Sequence, residues 1–425
     1  MNFNTIALHG GQEIDSVTHA RALPIYQTTA YLFDSTENAS DIFALKQEGN
    51  VYTRIGNPTT EVLEKRVAML EGGIGALATS SGMAATMCAV LNITKQGDEI
   101  ISSSALYGGT HTLFSDTLSR FGIKTLFINS NNPDDYERAV TENTKLIFAE
   151  TICNPQLDVL DIEKMAEVAH KNNIPLIVDN TVPSPYLLRP IEFGADIIVH
   201  SATKFLGGHG TSLGGIIVDS GNFDWVKSGK FEEFSQPDSS YGNVKYSEKF
   251  GKSAFIVKAR TQMLRNTGAC ISPFNSFLIL QGIETLPLRM REHSKNALKV
   301  AEFLESHENV SWVNYPGLKS NKNYQLTQKY LPKGQSSLIG FGIKSKNLSS
   351  KQAGAKFINN VKLLSHLANI GDTKSLVIHP ASTTHAQLSE KELQECGVSD
   401  DFIRLSIGLE DIEDIIKDID QALKV

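Results

Sequence analysis

Three apolar runs in this chain end in residues that can do chemistry. ADIIVH leads into SATKFLGGHG, which sets Ser201, Thr203 and Lys204 just beyond what reads as a buried strand. KLIFAET ends a second run on Glu150, and IPLIVDN ends a third on Asp179. A lysine is costly to bury, so one at the end of a core strand is either solvated or required there. A single polar residue at a strand end is ordinary. A carboxylate, a second carboxylate and a hydroxyl-flanked amine on successive strands form a row that calls for a ligand.

Two further stretches supply anion chemistry. SSGMAA opens the apolar helical text AATMCAVLNI, so the amides of Gly82 and Met83 fall at a helix N-terminus, where an anion is favoured. Tyr52 and Arg54, in NVYTRIGNPTT, offer a phenol and a guanidinium suited to phosphate oxygens. An amine, an acid and a phosphate cradle together point to pyridoxal phosphate. Its aldehyde condenses with a lysine, and its ring nitrogen needs an acidic partner to stay protonated. Asp179, one strand before Lys204, suits that partner, and Tyr107 in ALYGGT offers an aromatic face for the ring.

The elements that would hold these residues follow from periodicity. EVLEKRVAMLEG reads as a helix ended by glycine, with Val62, Leu63, Val67 and Leu70 as its apolar stripe. DEIISSS, IKTLFINS, KLIFAET, IPLIVDNT, ADIIVHS and GGIIVDS then alternate with amphipathic stretches. That alternation predicts an α/β fold with a mainly parallel sheet covered on both faces, whose ligands sit beyond the carboxyl ends of its strands. Residues 1–60 carry little helical periodicity and read as an arm packed on the body or on a second subunit. Residues 61–286 form the expected large domain, broken by an aromatic, turn-rich excursion at 221–258. Residues 287–425 read as a smaller α+β domain closed by a helix.

Composition narrows the function. The chain has 425 residues, long enough for two cores, with 41% hydrophobic and 20% charged residues. Its net charge of -7 argues against nucleic acid or an anionic membrane as the main partner. The opening MNFNTIALHGGQEID has no basic-then-apolar leader, so a cytoplasmic protein is expected. Cys88, Cys153, Cys270 and Cys396 lie far apart and read as reduced thiols. His200, His209, His379 and His385 lack ligand spacing, so no metal is expected.

SSGMAA, YTRIGNPT, LYGGT, VDNT, HSATKFLGGHG and HPASTTH, in that combination, resemble the Cys/Met-metabolism family of pyridoxal-phosphate enzymes, of fold type I. The similarity spans nearly the whole chain. The resemblance implies that Lys204 binds pyridoxal 5'-phosphate and shuttles protons, that Asp179 pairs with the ring nitrogen and that Tyr107 stacks on the ring. It implies a phosphate cradle of Ser81, Gly82, Met83, Ser201 and Thr203, completed by Tyr52 and Arg54 of a neighbouring subunit, with Glu150 and Asn154 also at the cofactor. Arg404 in FIRLSIG would clamp the substrate carboxylate, near Asn154, Asn369 and Tyr52. Position 369 departs from the serine of many members. Gly109 stands where several methionine γ-lyases carry cysteine. The activity implied is γ-substitution of O-acetyl-L-homoserine by sulfide or a small thiol, in a homotetramer with shared sites; a γ-lyase or cystathionine γ-synthase is the alternative. Each residue alone has a blander reading, as a turn, a cap or a surface ion pair. Those readings do not account for their order or their shared place at strand ends.

Overall fold

The computed structural model describes residues 1–383 and 399–424; His385 and Cys396 lie outside the described residues. The first long helix, Pro58–Glu71, starts three residues earlier than its apolar stripe suggests. Asn57 caps it, accepting from the Thr59 amide, and Pro58 takes the first turn, where a missing amide costs nothing. Gly72, at φ 84°, ends it in the left-handed region.

Seven strands follow: β1 (Gly75–Thr79), β2 (Glu99–Ser103), β3 (Lys124–Ile128), β4 (Thr144–Glu150), β5 (Leu176–Asp179), β6 (Ile197–Ser201) and β7 (Gly215–Asp219). They form one sheet in the order β1-β7-β6-β5-β4-β2-β3. All neighbours are parallel except β7, which runs antiparallel to both β1 and β6. Successive residues of each strand enter opposite apolar layers: Ile147, Val178 and Ile198 on one side, Phe148, Ile177 and Val199 on the other. The helix Pro58–Glu71 covers the first layer and the helix Gly82–Leu91 the second.

The excursion at 221–258 is built into that second layer. Trp225 stacks on Phe234 at 4.6 Å and on Phe255 at 5.2 Å between ring centroids, and these buried rings close the sheet from outside. Beyond the helices Pro273–Glu284 and Leu286–Glu305 lies a second sheet. Its strands are β8 (Val310–Asn314), β9 (Leu338–Ile343), β10 (Ser365–His366), β11 (Leu376–Ile378) and β12 (Phe402–Ser406), in the order β10-β11-β12-β9-β8. The helix Ile412–Ala422 buries Ile415 and Ile419 against it. Among the described residues no helix is long and apolar enough to cross a membrane.

Candidate active site

Register brings the two acids together. Glu150 is paired with Asp179 across β4 and β5, so both side chains leave the same face of the sheet at its carboxyl end. Ser201, at the end of β6, lies two residues past Val199, the partner of Asp179, and so shares that face. From above, the helix Gly82–Leu91 points its N-terminus at the same spot, with the Ser81 hydroxyl accepting from the Ala84 amide at 3.2 Å.

A cavity of about 200 Å³ opens there. It is lined by Ser81, Gly82, Met83, Tyr107, Glu150, Asn154, Asp179, Ser201, Thr203, Lys204, Asn369 and Arg404. Twelve of the fourteen residues expected at the site therefore meet in one place. Tyr52 and Arg54 do not line it within this chain. Arg54 instead donates to the Arg265 carbonyl and lies over the Tyr52 ring, with its guanidinium carbon 5.4 Å from the centroid.

Each polar group is held in place. Glu150 grips backbone: Oε1 accepts from the Tyr107 amide at 2.6 Å and Oε2 from the Asn154 amide at 3.1 Å. It thereby fixes an aromatic ring and a carboxamide rather than offering both oxygens to a ligand. Asp179 Oδ1 accepts from the Thr181 amide at 2.8 Å, and the Thr181 hydroxyl accepts from the Ser201 amide at 2.8 Å. Lys204 Nζ donates to Asn369 Oδ1. Arg404, on β12 of the smaller sheet, donates to Asn154 Oδ1 at 3.0 Å and to the Asn369 carbonyl at 3.3 Å.

Electrostatics follow from burial. Loss of solvent pushes Glu150 up to about 8, and the neighbouring Asp179 adds to it. Asp179 is raised by burial as well, against the hydrogen bonds from Thr181. Burial lowers the Lys204 amine, helped by the positive charge of Arg404. Burial draws Arg404 down to about 10, which leaves it charged at neutral pH.

These residues fit pyridoxal phosphate. A Cβ on Gly82 would stand 2.6 Å from Ser201 Cβ, so only glycine lets the helix N-terminus close on the end of β6. A Cβ on Gly215 would stand 2.0 Å from the Ser81 carbonyl, so the cradle needs glycine on both sides. Among the described residues Asp179 forms no ion pair, and a protonated ring nitrogen is the cation that a buried carboxylate there would favour.

Thr181 is a working part of this site that residue chemistry alone did not single out. Its place after Asp179-Asn180 in VDNT was the available signal, since a threonine just past a strand end can hold the next strand. Leu213 also lines the cavity, arriving from the loop between β6 and β7 with no sequence signal. The histidines are tied elsewhere. His200 bonds Glu71, His209 bonds the Gly207 carbonyl, and His379 bonds Ser382 and the Asp400 carbonyl.

The whole chain is similar to known proteins. The family model described as Cys/Met metabolism PLP-dependent enzyme matches residues 4–424. An O-acetyl-L-homoserine sulfhydrylase of Leptospira meyeri is 54% identical over 429 residues, covering 99% of this chain and 96% of that protein. A homocysteine synthase of Schizosaccharomyces pombe is 49% identical, covering 100% and 98%. A Campylobacter jejuni chain named as an O-acetylhomoserine (thiol)-lyase, solved at 2.35 Å with N'-pyridoxyl-lysine-5'-monophosphate, superposes with a TM-score of 0.96 at 41% identity over all of both chains.

Proposed function

The chain belongs to the Cys/Met metabolism family of pyridoxal-phosphate-dependent enzymes, and on that premise we propose that it replaces the acetoxy group of O-acetyl-L-homoserine with sulfide. The products are L-homocysteine and acetate, a step of methionine biosynthesis; a small thiol such as methanethiol would give L-methionine instead. When bound, pyridoxal phosphate supplies an aldehyde for an amine and an electron-withdrawing ring.

The chain's own residues do the rest. Ser81, Gly82, Met83, Ser201 and Thr203 would hold the phosphate, Asp179 would pair with the ring nitrogen and Tyr107 would cover the ring. Lys204 moves protons at the substrate's α- and β-carbons, a task its lowered amine suits because a base must be neutral to accept. Arg404, steadied by Asn154 and Asn369, takes the substrate carboxylate with two parallel donors. Glu150 keeps Tyr107 and Asn154 in position. Tyr52 and Arg54 complete the phosphate site of a neighbouring subunit, in a cytoplasmic homotetramer built as a dimer of dimers. Residues 1–60 then serve as the shared arm, 61–286 as the cofactor domain and 287–425 as the domain that carries Arg404.

The observation that carries this reading is the convergence on one cavity of Asp179 from the end of β5, Lys204 from just past β6 and Arg404 from the middle of β12 in the smaller sheet. The test is a product assay on purified, cofactor-loaded protein. O-acetyl-L-homoserine with sulfide should yield homocysteine and acetate in equal amounts, with little 2-oxobutanoate from L-methionine alone. Rapid 2-oxobutanoate and ammonia from methionine, with no homocysteine from the ester, would make the protein a γ-lyase.

A further inference from the structure

A helix spanning 254–267 lies between the arm and the phosphate cradle and bonds to both. It starts as an ordinary α-helix over Ala254–Lys258, widens into a π-helical turn over Ala259–Leu264 and closes over Arg265–Thr267. Such widened turns are rare and concentrate at functional places. Arg260 leaves from this turn. Its Nη1 donates to the Ile55 carbonyl at 2.9 Å, one residue past Arg54, and its Nη2 donates to Glu64 Oε2 at 2.6 Å. The other oxygen of Glu64 accepts from the Ala78 amide of β1 at 2.8 Å, three residues before Ser81. The same helix makes a second, parallel link. The Arg265 carbonyl accepts from Arg54 itself, and just past the helix the Ala269 carbonyl accepts from the Ser80 amide at 2.8 Å.

We propose that Arg260 is a positioning residue that ties the arm to the phosphate cradle of its own chain, so that each subunit sets the cofactor affinity of two sites. This rests on the reading that Tyr52 and Arg54 serve a neighbouring subunit. Glu64 has a side chain only 6% exposed and Arg260 one 28% exposed, so the pair is largely shielded from water. A shift at either end is therefore felt at the other: Ile55 moves Arg54, and Ala78 moves the loop Ser80–Ser81 that opens the cradle. An ion pair that merely stabilised the fold would join two elements of one body. Arg260 does more: its pair with Glu64 lies within residues 61–286, while its bond to the Ile55 carbonyl reaches residues 1–60, so one guanidinium joins an element aimed at the neighbour's cofactor to one aimed at its own.

The test uses mixed assemblies of two differently tagged, co-expressed chains loaded with cofactor. The first chain carries Lys204→Ala and an intact arm. The second keeps Lys204 and carries Arg54→Ala. Only the second chain's lysine can link the cofactor, and only the first chain's arm can serve that site. Retention of the visible absorbance of lysine-linked cofactor during dialysis gives its dissociation constant. Arg260→Lys, which keeps a cation beside Glu64 but loses the two-pronged reach, is then placed on the first chain alone. The expected result is cofactor binding weakened on the order of tenfold at a site whose own Arg260 is intact. Arg260→Lys on the second chain should weaken the same site through Glu64 and Ala78. Unchanged retention with the substitution on the first chain overturns the proposal. Glu64→Gln on the first chain, which keeps an acceptor for Ala78, should give a smaller loss in the same direction, and no loss would also contradict the coupling. If the mixed assembly with intact Arg260 holds cofactor no better than the Arg54→Ala protein alone, the shared-arm reading has failed, and the coupling falls with it.

Discussion

Two sites holding buried acid lie on opposite faces of one sheet at the same strand ends, and they are built differently. Strand alternation sends Asp179 to one side and its neighbour Asn180 to the other, and likewise Ser201 and His200. On the side away from the cavity, one oxygen of Glu71 is held by two side chains of this chain, while the other is buried without a hydrogen-bond partner among the described residues. His200 Nε2 lies 2.6 Å from its Oε1, and Asn180 donates to the same oxygen at 2.8 Å while holding the Leu188 carbonyl at 2.9 Å. On the cavity side, Glu150 and Asp179 accept backbone amides, and among the described residues neither forms an ion pair, although Lys204 and Arg404 line the same cavity. A buried acid with side-chain partners fastens two elements together. A buried acid whose charge is left to be matched from outside marks a ligand site.

Substitutions on the two faces should therefore separate function from stability. The largest effect is expected from Asp179→Asn, which keeps size and an acceptor for the Thr181 amide but gives up the charge. Turnover of the loaded enzyme should fall by about 10²–10⁴-fold, with the unfolding midpoint of the cofactor-free protein unchanged or raised. On the other face the pattern reverses. Glu71→Ala takes an acceptor from Asn180 and the side-chain partner from His200, so chemical denaturation should show a loss of about 1–3 kcal/mol. Its cofactor affinity should stay near that of the parent protein. Were the two substitutions to give the same pattern, the contrast between the faces would collapse.

Arg404→Lys sharpens the same contrast within the cavity. A lysine keeps the charge but loses the paired donors, so KM for the amino-acid substrate should rise about 10–100-fold while kcat moves less. A smaller effect concerns pH. Glu150 is raised from its ordinary 4.5 to about 8, first by burial and then by Asp179. A carboxyl raised in the fold contributes stability that is fully present below about 4.5 and is lost as pH climbs through about 8. The cofactor-free protein should thus lose on the order of 1–3 kcal/mol of unfolding free energy across that window, and a flat profile would contradict the unpaired state of the two acids. The smallest effect is expected from Gly109→Ala. Its Cβ would stand 2.6 Å from Tyr107 Cε1 and push the ring, at a cost in catalytic efficiency of about 1 kcal/mol.

The parts of the site carried on strand ends were readable in the sequence because their types are rare there. Lys204, Asp179 and Glu150 follow apolar runs that predict buried strands, and burial is what makes an amine or acid informative. Other parts lacked such a signal. β1 reads GALAT, with no aromatic or β-branched residue before its last position, and it forms because β7 pairs along its whole length. The reversal of β7 is equally silent, since an apolar run looks alike in either direction. The excursion at 221–258 reads as loop by its turn residues, yet Trp225, Phe231 and Phe234 bury it in the core. Arg260 is one arginine in the mixed apolar and polar text AFIVKARTQMLR, and only the fold shows that it meets Ile55 and Glu64.

The central claim is that Lys204 is the amine this cavity offers to pyridoxal phosphate. Reduction of the loaded protein with borohydride, followed by peptide mass mapping, tests it without reference to substrate. The phosphopyridoxyl mass is expected on Lys204 alone, and lost with Lys204→Ala. The label on another lysine, such as the buried Lys258, or persisting in the variant, would contradict the site described here.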